Sequence, residues 1–241
     1  MGVLRERTVL SMSFSRSRIA AKLQEMVSKR REESGLYNEI ADLLPLMESG
    51  RLLDIGTGTG LQLRVMREMK PNLDLFGLDV SDHAIQIAEK YLAHKNVDLR
   101  VGSIEKTDYH SGFFDIVACS SSMSYWKSLE SCFNEIYRIL KSGGLAQLIE
   151  PRKDIDIDEA VEIIRRNLGG ESRFRVFLAT NLNKFGLRWG GKIGLKLYEK
   201  GEVERIARQS RFGNQVKIKA VILQNLPIFM QINLEKISKQ S

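Results

Sequence analysis

No apolar run in the 241-residue sequence approaches the roughly 20 residues that a bilayer-spanning helix needs. The first fifteen residues carry Arg5, Glu6 and Arg7 and have no long apolar segment ending in a small-residue cleavage site, so no secretory signal is expected. Cysteine is scarce. Cys119 falls in an apolar strand pattern and Cys132 in a helical one, and their spacing fits neither a metal-binding nor a redox motif. Both read as reduced core thiols of a cytoplasmic protein, and no metal site is expected. Histidine is equally sparse: His83, His94 and His110 have no partner that the sequence identifies, so no general base and no catalytic residue is assigned. Internal repeats are absent, and so is any dense run of five or more basic residues.

Hydrophobic residues make up 43% of the chain and charged residues 28%, close to the globular average, so a sizeable core is expected. The net charge of +7 is unevenly placed. Residues 1–35 hold eight basic and four acidic side chains, 36–150 hold eleven and sixteen, and 151–241 hold eighteen and ten. An acidic centre with basic ends is compatible with nucleic acid, anionic lipid or an acidic substrate, or with a merely solvated surface.

The centre has a repeating rhythm. Apolar strand patterns at 51–55, 73–78, 97–101, 114–120 and 145–150 alternate with helical patterns at 61–69, 82–91 and 129–140. Nearly unbroken apolar strands alternating with helices predict a parallel sheet covered on both faces. Before it, Ile19, Leu23, Met26 and Val27 have helical spacing, and a helix is expected over 37–47, with Pro45 as a kink or end. After Pro151 the rhythm breaks. A helix is expected over 157–168, then a basic, semi-apolar stretch, then a helix over 201–209. Strands at 216–223 and 228–234 have a connection short enough to predict an antiparallel pair. The division expected is a helical, partly disordered extension (1–35), a core (36–150), a variable lid (151–198), and a final helix and strand pair completing the sheet (199–241).

The loop Asp54-Ile55-Gly56-Thr57-Gly58-Thr59-Gly60 joins the first strand to a helix. Glycines there let the main chain approach a ligand closely, and the helix start offers N–H groups to an anion. The dinucleotide fingerprint needs glycine at its first, third and sixth positions, whereas Leu61 fills the sixth here. Asp79 closes the second strand, nineteen residues after Gly60, where a carboxylate can accept both hydroxyls of a ribose. Capping of the next helix is its alternative role, for which Ser81 or Asp82 is better placed.

Taken in order, Leu53 to Gly60, Gly77-Leu78-Asp79-Val80-Ser81, Phe114-Asp115-Ile116-Val117 and Leu140-Lys141-Ser142-Gly143-Gly144 resemble the class I S-adenosylmethionine-dependent methyltransferases, and more narrowly their type 11 group. The resemblance covers roughly 36–150 and also fits 199–241. It implies an α/β, Rossmann-like, doubly wound sheet of seven mostly parallel strands with the last antiparallel. It implies S-adenosylmethionine as cofactor and S-adenosylhomocysteine as product. Gly56, Gly58 and Gly60 would line the methionine part, Asp54 would hold the loop or face the cofactor's ammonium group, and Thr57, also cofactor-binding, stands where relatives often have Cys or Ser. Asp79 would take the ribose, with Val80 also binding the cofactor, and the loop holding Ser103 and Ile104 would lie beside the adenine. Many relatives have Asp where Ser103 stands; a serine hydroxyl gives a weaker contact.

Methyl transfer from a sulfonium is an in-line displacement, which asks for alignment and exclusion of water, with a base optional. Ser120 and Ser121, after the fourth strand, would contact the cofactor. Tyr125 and Trp126 would wall the methyl-transfer cavity, offering a π face to the sulfonium, or else pack the next helix. Glu150 ends the fifth strand, facing substrate or serving structure. Residues 120–126 lack the Asn/Asp-Pro-Pro-Tyr/Phe and Pro-Cys signatures of base methylation. Phe174, Arg175, Phe177, Arg188 and Trp189 are candidates for a specificity pocket, or for a sealed lid or dimer face. The expected function is methyl transfer to a small molecule. The alternatives are a tRNA or protein methyltransferase that uses the basic ends, and a non-catalytic cofactor-binding module. Oligomeric state and acceptor atom are not specified by the sequence.

Overall fold

The structure, a computed structural model, describes residues 17–154, 162, 196–224 and 226–238. Seven strands form one sheet in the order β3-β2-β1-β4-β5-β7-β6. They are β1 (Gly50–Ile55), β2 (Leu73–Asp79), β3 (Val97–Val101), β4 (Phe114–Ser120), β5 (Leu140–Pro151), β6 (Val216–Leu223) and β7 (Leu226–Glu235). The first five pair in parallel, and β7 runs antiparallel to both β5 and β6. The doubly wound fold with its antiparallel last strand is therefore as the sequence predicts.

Six α-helices accompany the sheet among the described residues: α1 (Arg18–Glu33), α2 (Leu36–Asp42), α3 (Leu61–Met69), α4 (Asp82–Tyr91), α5 (Leu129–Ile139) and α6 (Lys200–Gln209). Successive residues of β1 face opposite ways, and both are fully buried. Leu53 packs with Phe133, Ile136 and Val203 on the α5–α6 face, and Leu52 packs with Leu63, Met66 and Ala88 on the α3–α4 face. Burial on both sides is why the strand reads as an unbroken apolar run. Serine side chains fix three helix starts: Ser17 accepts from the Ala20 N–H at 3.1 Å, Ser81 from Ala84 at 3.3 Å, and Ser128 from Ser131 at 3.2 Å.

Three boundaries differ from expectation by more than two residues. Helix α1 extends six residues further, to Glu33. Helix α2 stops at Asp42 instead of 47, because the residue before Pro45 is pushed out of helical geometry. Strand β5 starts at Leu140, and Ser142-Gly143-Gly144 lies inside it across a register shift opposite Phe114 and Ile116. A Cβ at Gly144 would stand 3.0 Å from the Lys141 carbonyl oxygen and 3.1 Å from that of Asp115, so a close backbone approach, and not a turn, uses this glycine. The helix expected over 157–168 and the candidates Phe174, Arg175, Phe177, Arg188 and Trp189 lie outside the described residues.

Neighbouring β1 and β4 mark the point where the strand order reverses. Ligands of open α/β sheets bind outside the carboxyl ends of the strands at such a crevice. Helix α1 packs across α2, α3 and α4 and roofs that end of the sheet.

Candidate active site

At this crevice lies a cavity of about 350 Å³. Its floor comes from the ends of β1 (Asp54, Ile55) and β2 (Leu78, Asp79, Val80). Its sides come from the loops after β1 (Gly56, Thr57), β3 (Ser103, Ile104) and β4 (Ser120, Ser121, Tyr125, Trp126). Its roof is α1, through residues that include Leu23, Gln24, Val27 and Arg31.

The loop after β1 is folded tightly onto β2. The Gly56 and Thr57 N–H groups both donate to the Leu78 carbonyl, at 2.7 and 3.1 Å, and the Gly60 N–H donates to the Thr57 carbonyl at 3.0 Å. Gly56 and Gly60 hold left-handed backbone angles, with φ of 69° and 75°. They also permit different close approaches. A Cβ at Gly56 would overlap the Ser122 side chain, whereas one at Gly60 would stand 2.8 Å from Leu92 Cδ1 and 2.9 Å from the Ala88 Cβ of α4.

Asp79 is buried, and each of its oxygens has one backbone donor: Oδ2 accepts from the Gly58 N–H at 2.8 Å and Oδ1 from the Ser81 N–H at 2.9 Å. Burial raises its pKa, against those N–H groups and that of Val80. A carboxylate has about four acceptor positions, so about two remain for hydroxyl donors in the cavity. The capping alternative falls to Ser81, which caps α4.

Asp54 is fully buried, and burial pushes its pKa up to about 7, with Thr57 opposing and Asp79 adding to the rise. Gln62 Nε2 donates to Asp54 Oδ1 at 3.3 Å, and Gln62 Oε1 accepts from the Ser120 hydroxyl. This chain ties β1, α3 and β4 together at the cavity floor. Sequence reasoning missed Gln62, whose only local signal is a polar residue between Leu61 and Leu63 at the start of an apolar helix face.

Glu150 does not line the cavity, so its placement as a residue facing substrate is corrected. Its Oε1 accepts from the Ser122 N–H at 3.0 Å, the Met123 N–H at 3.1 Å and the Cys119 thiol at 3.2 Å, which pins the loop after β4 from behind. Burial pushes Glu150 up to about 7 and raises Cys119 well above an ordinary thiol, so Cys119 is a protonated core donor. Ser121, next in the same loop, holds φ of 56°, an uncommon angle for a residue with a side chain.

Of the other sequence candidates, Asp54, Gly56, Thr57, Asp79, Val80, Ser103, Ile104, Ser120, Ser121, Tyr125 and Trp126 all meet at this cavity. Gly58 and Gly60 do not line it, because a Cβ at Gly58 would overlap the Gln24 amide and Gly60 packs against α4. Trp126 is buried against Phe133 of α5, ring centroids 6.3 Å apart, so it walls the cavity and packs the next helix at once. Tyr125 is exposed at the mouth. His110 is exposed and outside the lining, and no histidine reaches the cavity among the described residues. The whole contribution of α1, including Gln24 and Arg31, was invisible in the sequence, where no local pattern links the helix to the glycine loop.

Fold and cavity together define a doubly wound protein with a carboxylate-lined cavity at its switch point. Residues 53–148 match the methyltransferase domain family. An uncharacterised methyltransferase YdaC of Bacillus subtilis is 30% identical over 111 residues, 46% of this chain and 61% of that protein. The chloroplastic 2-methyl-6-phytyl-1,4-hydroquinone methyltransferase 1 of Oryza sativa is 32% identical over 101 residues, 42% of this chain and 31% of that protein. The chain thus spans less than two thirds of either. A methyltransferase from Aquifex aeolicus, solved as a crystal structure, superimposes with a TM-score of 0.62 over 89% of this chain and 98% of its own, at 14% identity. Over residues 53–148 the chain is thus similar to the methyltransferase domain family, and its fold is that of an S-adenosylmethionine-dependent methyltransferase of known structure.

Proposed function

We propose that the chain transfers a methyl group from S-adenosylmethionine to a small molecule at the cavity under α1. The observation that carries this reading is the pair of buried carboxyl groups, Asp54 and Asp79, lining one cavity at adjacent strand ends. Asp79, with its spare acceptor positions, takes the ribose hydroxyls. Val80, Ser103 and Ile104 border the adenine, and Gly56 and Thr57 allow close approach of the methionine part. Asp54 meets the ammonium group. Ser120 and Ser121 position the same end through the loop that Glu150 holds.

Bound there, the cofactor supplies an electrophilic methyl group on a sulfonium. The chain's own work is alignment and the exclusion of water, with Trp126 and Tyr125 walling the approach and Tyr125 presenting a π face. Leu23, Val27, Tyr125 and Trp126 make the outer lining apolar, which supports an acceptor with an apolar body. A small-molecule acceptor is also in keeping with a relative named for a phytyl hydroquinone. We further propose that 36–150 and 199–241 form the cofactor domain, that 1–35 roofs it, and that 151–198 sets acceptor choice. Two free, buried cysteines fit a cytoplasmic setting.

Incubation of the protein with cell extract and radiolabelled S-adenosylmethionine, split into small-molecule, RNA and protein fractions, tests the reading. Label is expected in the small-molecule fraction. Label in RNA or protein would transfer the proposal to a macromolecular acceptor, and none in any fraction would favour a non-catalytic module. Calorimetry showing binding of NAD but not of S-adenosylmethionine would remove the cofactor assignment.

A further inference from the structure

The glycine loop has few N–H groups left to offer an anion. Gly56 and Thr57 donate to Leu78, Gly58 to Asp79 and Gly60 to Thr57. Gly58 lies beneath Gln24, and neither it nor Gly60 reaches the cavity. A methionine carboxylate therefore needs a donor from elsewhere. Among the described residues lining the cavity, Arg31 of α1 is the only basic side chain, and it makes no ion pair with a described carboxylate.

Its position matches the chemistry. The carboxylate and ammonium of an amino acid share one carbon, so their partners must stand close together. Tyr37, buried, lines the same cavity as both, and the charges of Arg31 and Asp54 each act on its phenol. Helix α1 is anchored close by, through the Arg64–Glu32 ion pair and the Tyr91 hydroxyl donating to Glu25.

We propose that Arg31 binds the carboxylate of the cofactor's methionine moiety, so that the roof helix and not the glycine loop supplies the anion site. This rests on the cofactor reading above. A guanidinium is suited to the task because its planar fork matches a carboxylate.

Calorimetry on the full chain with two probes tests it: S-adenosylmethionine, and its decarboxylated analogue, which keeps the sulfonium and amine and lacks only the carboxylate. Arg31→Ala is expected to weaken S-adenosylmethionine binding about tenfold to a hundredfold, the size of a lost charged hydrogen bond. The same change should leave the decarboxylated probe unweakened, or bound more tightly once a like charge is gone. Arg31→Lys should recover part of the loss. Binding of 5′-methylthioadenosine, which has only the nucleoside end, verifies that each variant is folded. Equal losses for both probes, or none for either, would overturn the assignment. Intact S-adenosylmethionine affinity with lost methyl transfer would also overturn it, by showing that Arg31 reads the acceptor. If the unaltered protein bound none of these ligands, the cofactor reading itself would fall, and this assignment with it.

Discussion

Three buried carboxyl groups near one cavity have separable roles, set by what each already touches. Asp79 spends about half of its acceptor capacity on the Gly58 and Ser81 N–H groups and keeps the rest for the cavity. Asp79→Ala is expected to weaken S-adenosylmethionine binding by about 1.5–3 kcal/mol, the worth of a hydrogen bond to a charged group. Titration calorimetry reads this directly, and an unchanged Kd would remove the ribose role. Glu150 does not line the cavity and satisfies two backbone N–H groups of the loop after β4. Glu150→Gln keeps a carbonyl acceptor at the same place, so cofactor affinity should hold. Glu150→Ala strands both donors and should cost about 1–3 kcal/mol for each, seen as a lower urea midpoint. If Glu150→Gln abolished cofactor binding while urea unfolding stayed unchanged, Glu150 would be a ligand residue after all.

At the scale of elements, legibility followed locality. Strands β3, β4 and β6 and helices α3 and α4 were readable to the residue, because an unbroken apolar run in β4, an alternating pattern in the edge strands β3 and β6, and a 3.6-residue period in the helices are written into neighbouring positions. Strand β5 was misread at its start, since Ser142-Gly143-Gly144 looks like a turn unless the approach of Asp115 across the sheet is known. The site was legible where a residue sits at a strand end, as Asp54 and Asp79 do. It was illegible where α1 reaches it, because Ile19, Leu23, Met26 and Val27, the apolar residues that gave the helix its pattern, remain exposed. Its ties to the core are contacts such as Glu32 to Arg64, 32 residues apart. Gly60 is the instructive glycine, conspicuous in the motif yet packed on α4. Gly60→Ala should destabilise the fold by about 1–3 kcal/mol, from a strained left-handed angle and a Cβ crowded by Leu92 and Ala88. Affinity of the folded fraction for 5′-methylthioadenosine should be kept. Full thermal stability with lost affinity would return Gly60 to the ligand site.

For the whole molecule, these buried acids set a pH dependence of definite sign. Asp54 and Glu150 are pushed up to about 7 in the folded state and Asp79 is raised, all chiefly by burial, whereas unfolded carboxyl groups titrate near 4. Between about pH 4 and pH 7 the folded protein therefore holds more protons than the unfolded chain, and stability falls as pH rises, by on the order of 4 kcal/mol for each of Asp54 and Glu150 once ionised. In the other direction, Asp115 overcomes its burial through Lys141 and the Arg51 N–H, and Glu135 through Arg138 and Thr107, and both are held below the ordinary range. Their contribution is lost as pH falls below about 4. A stability maximum near pH 4 is thus expected from urea unfolding across pH, and a maximum above pH 8 would contradict the burial of these acids. Cofactor binding should oppose the upper slope. An ammonium placed at Asp54 favours its ionised form, so binding near pH 6–7 should release a proton and tighten as pH rises, by at most about tenfold per pH unit below 7. Calorimetry in two buffers of different ionisation heat measures the proton directly. Asp54→Asn should abolish its release while Glu150→Gln leaves it in place. Proton uptake on binding, or the same release in Asp54→Asn, would show that Asp54 does not meet the ammonium.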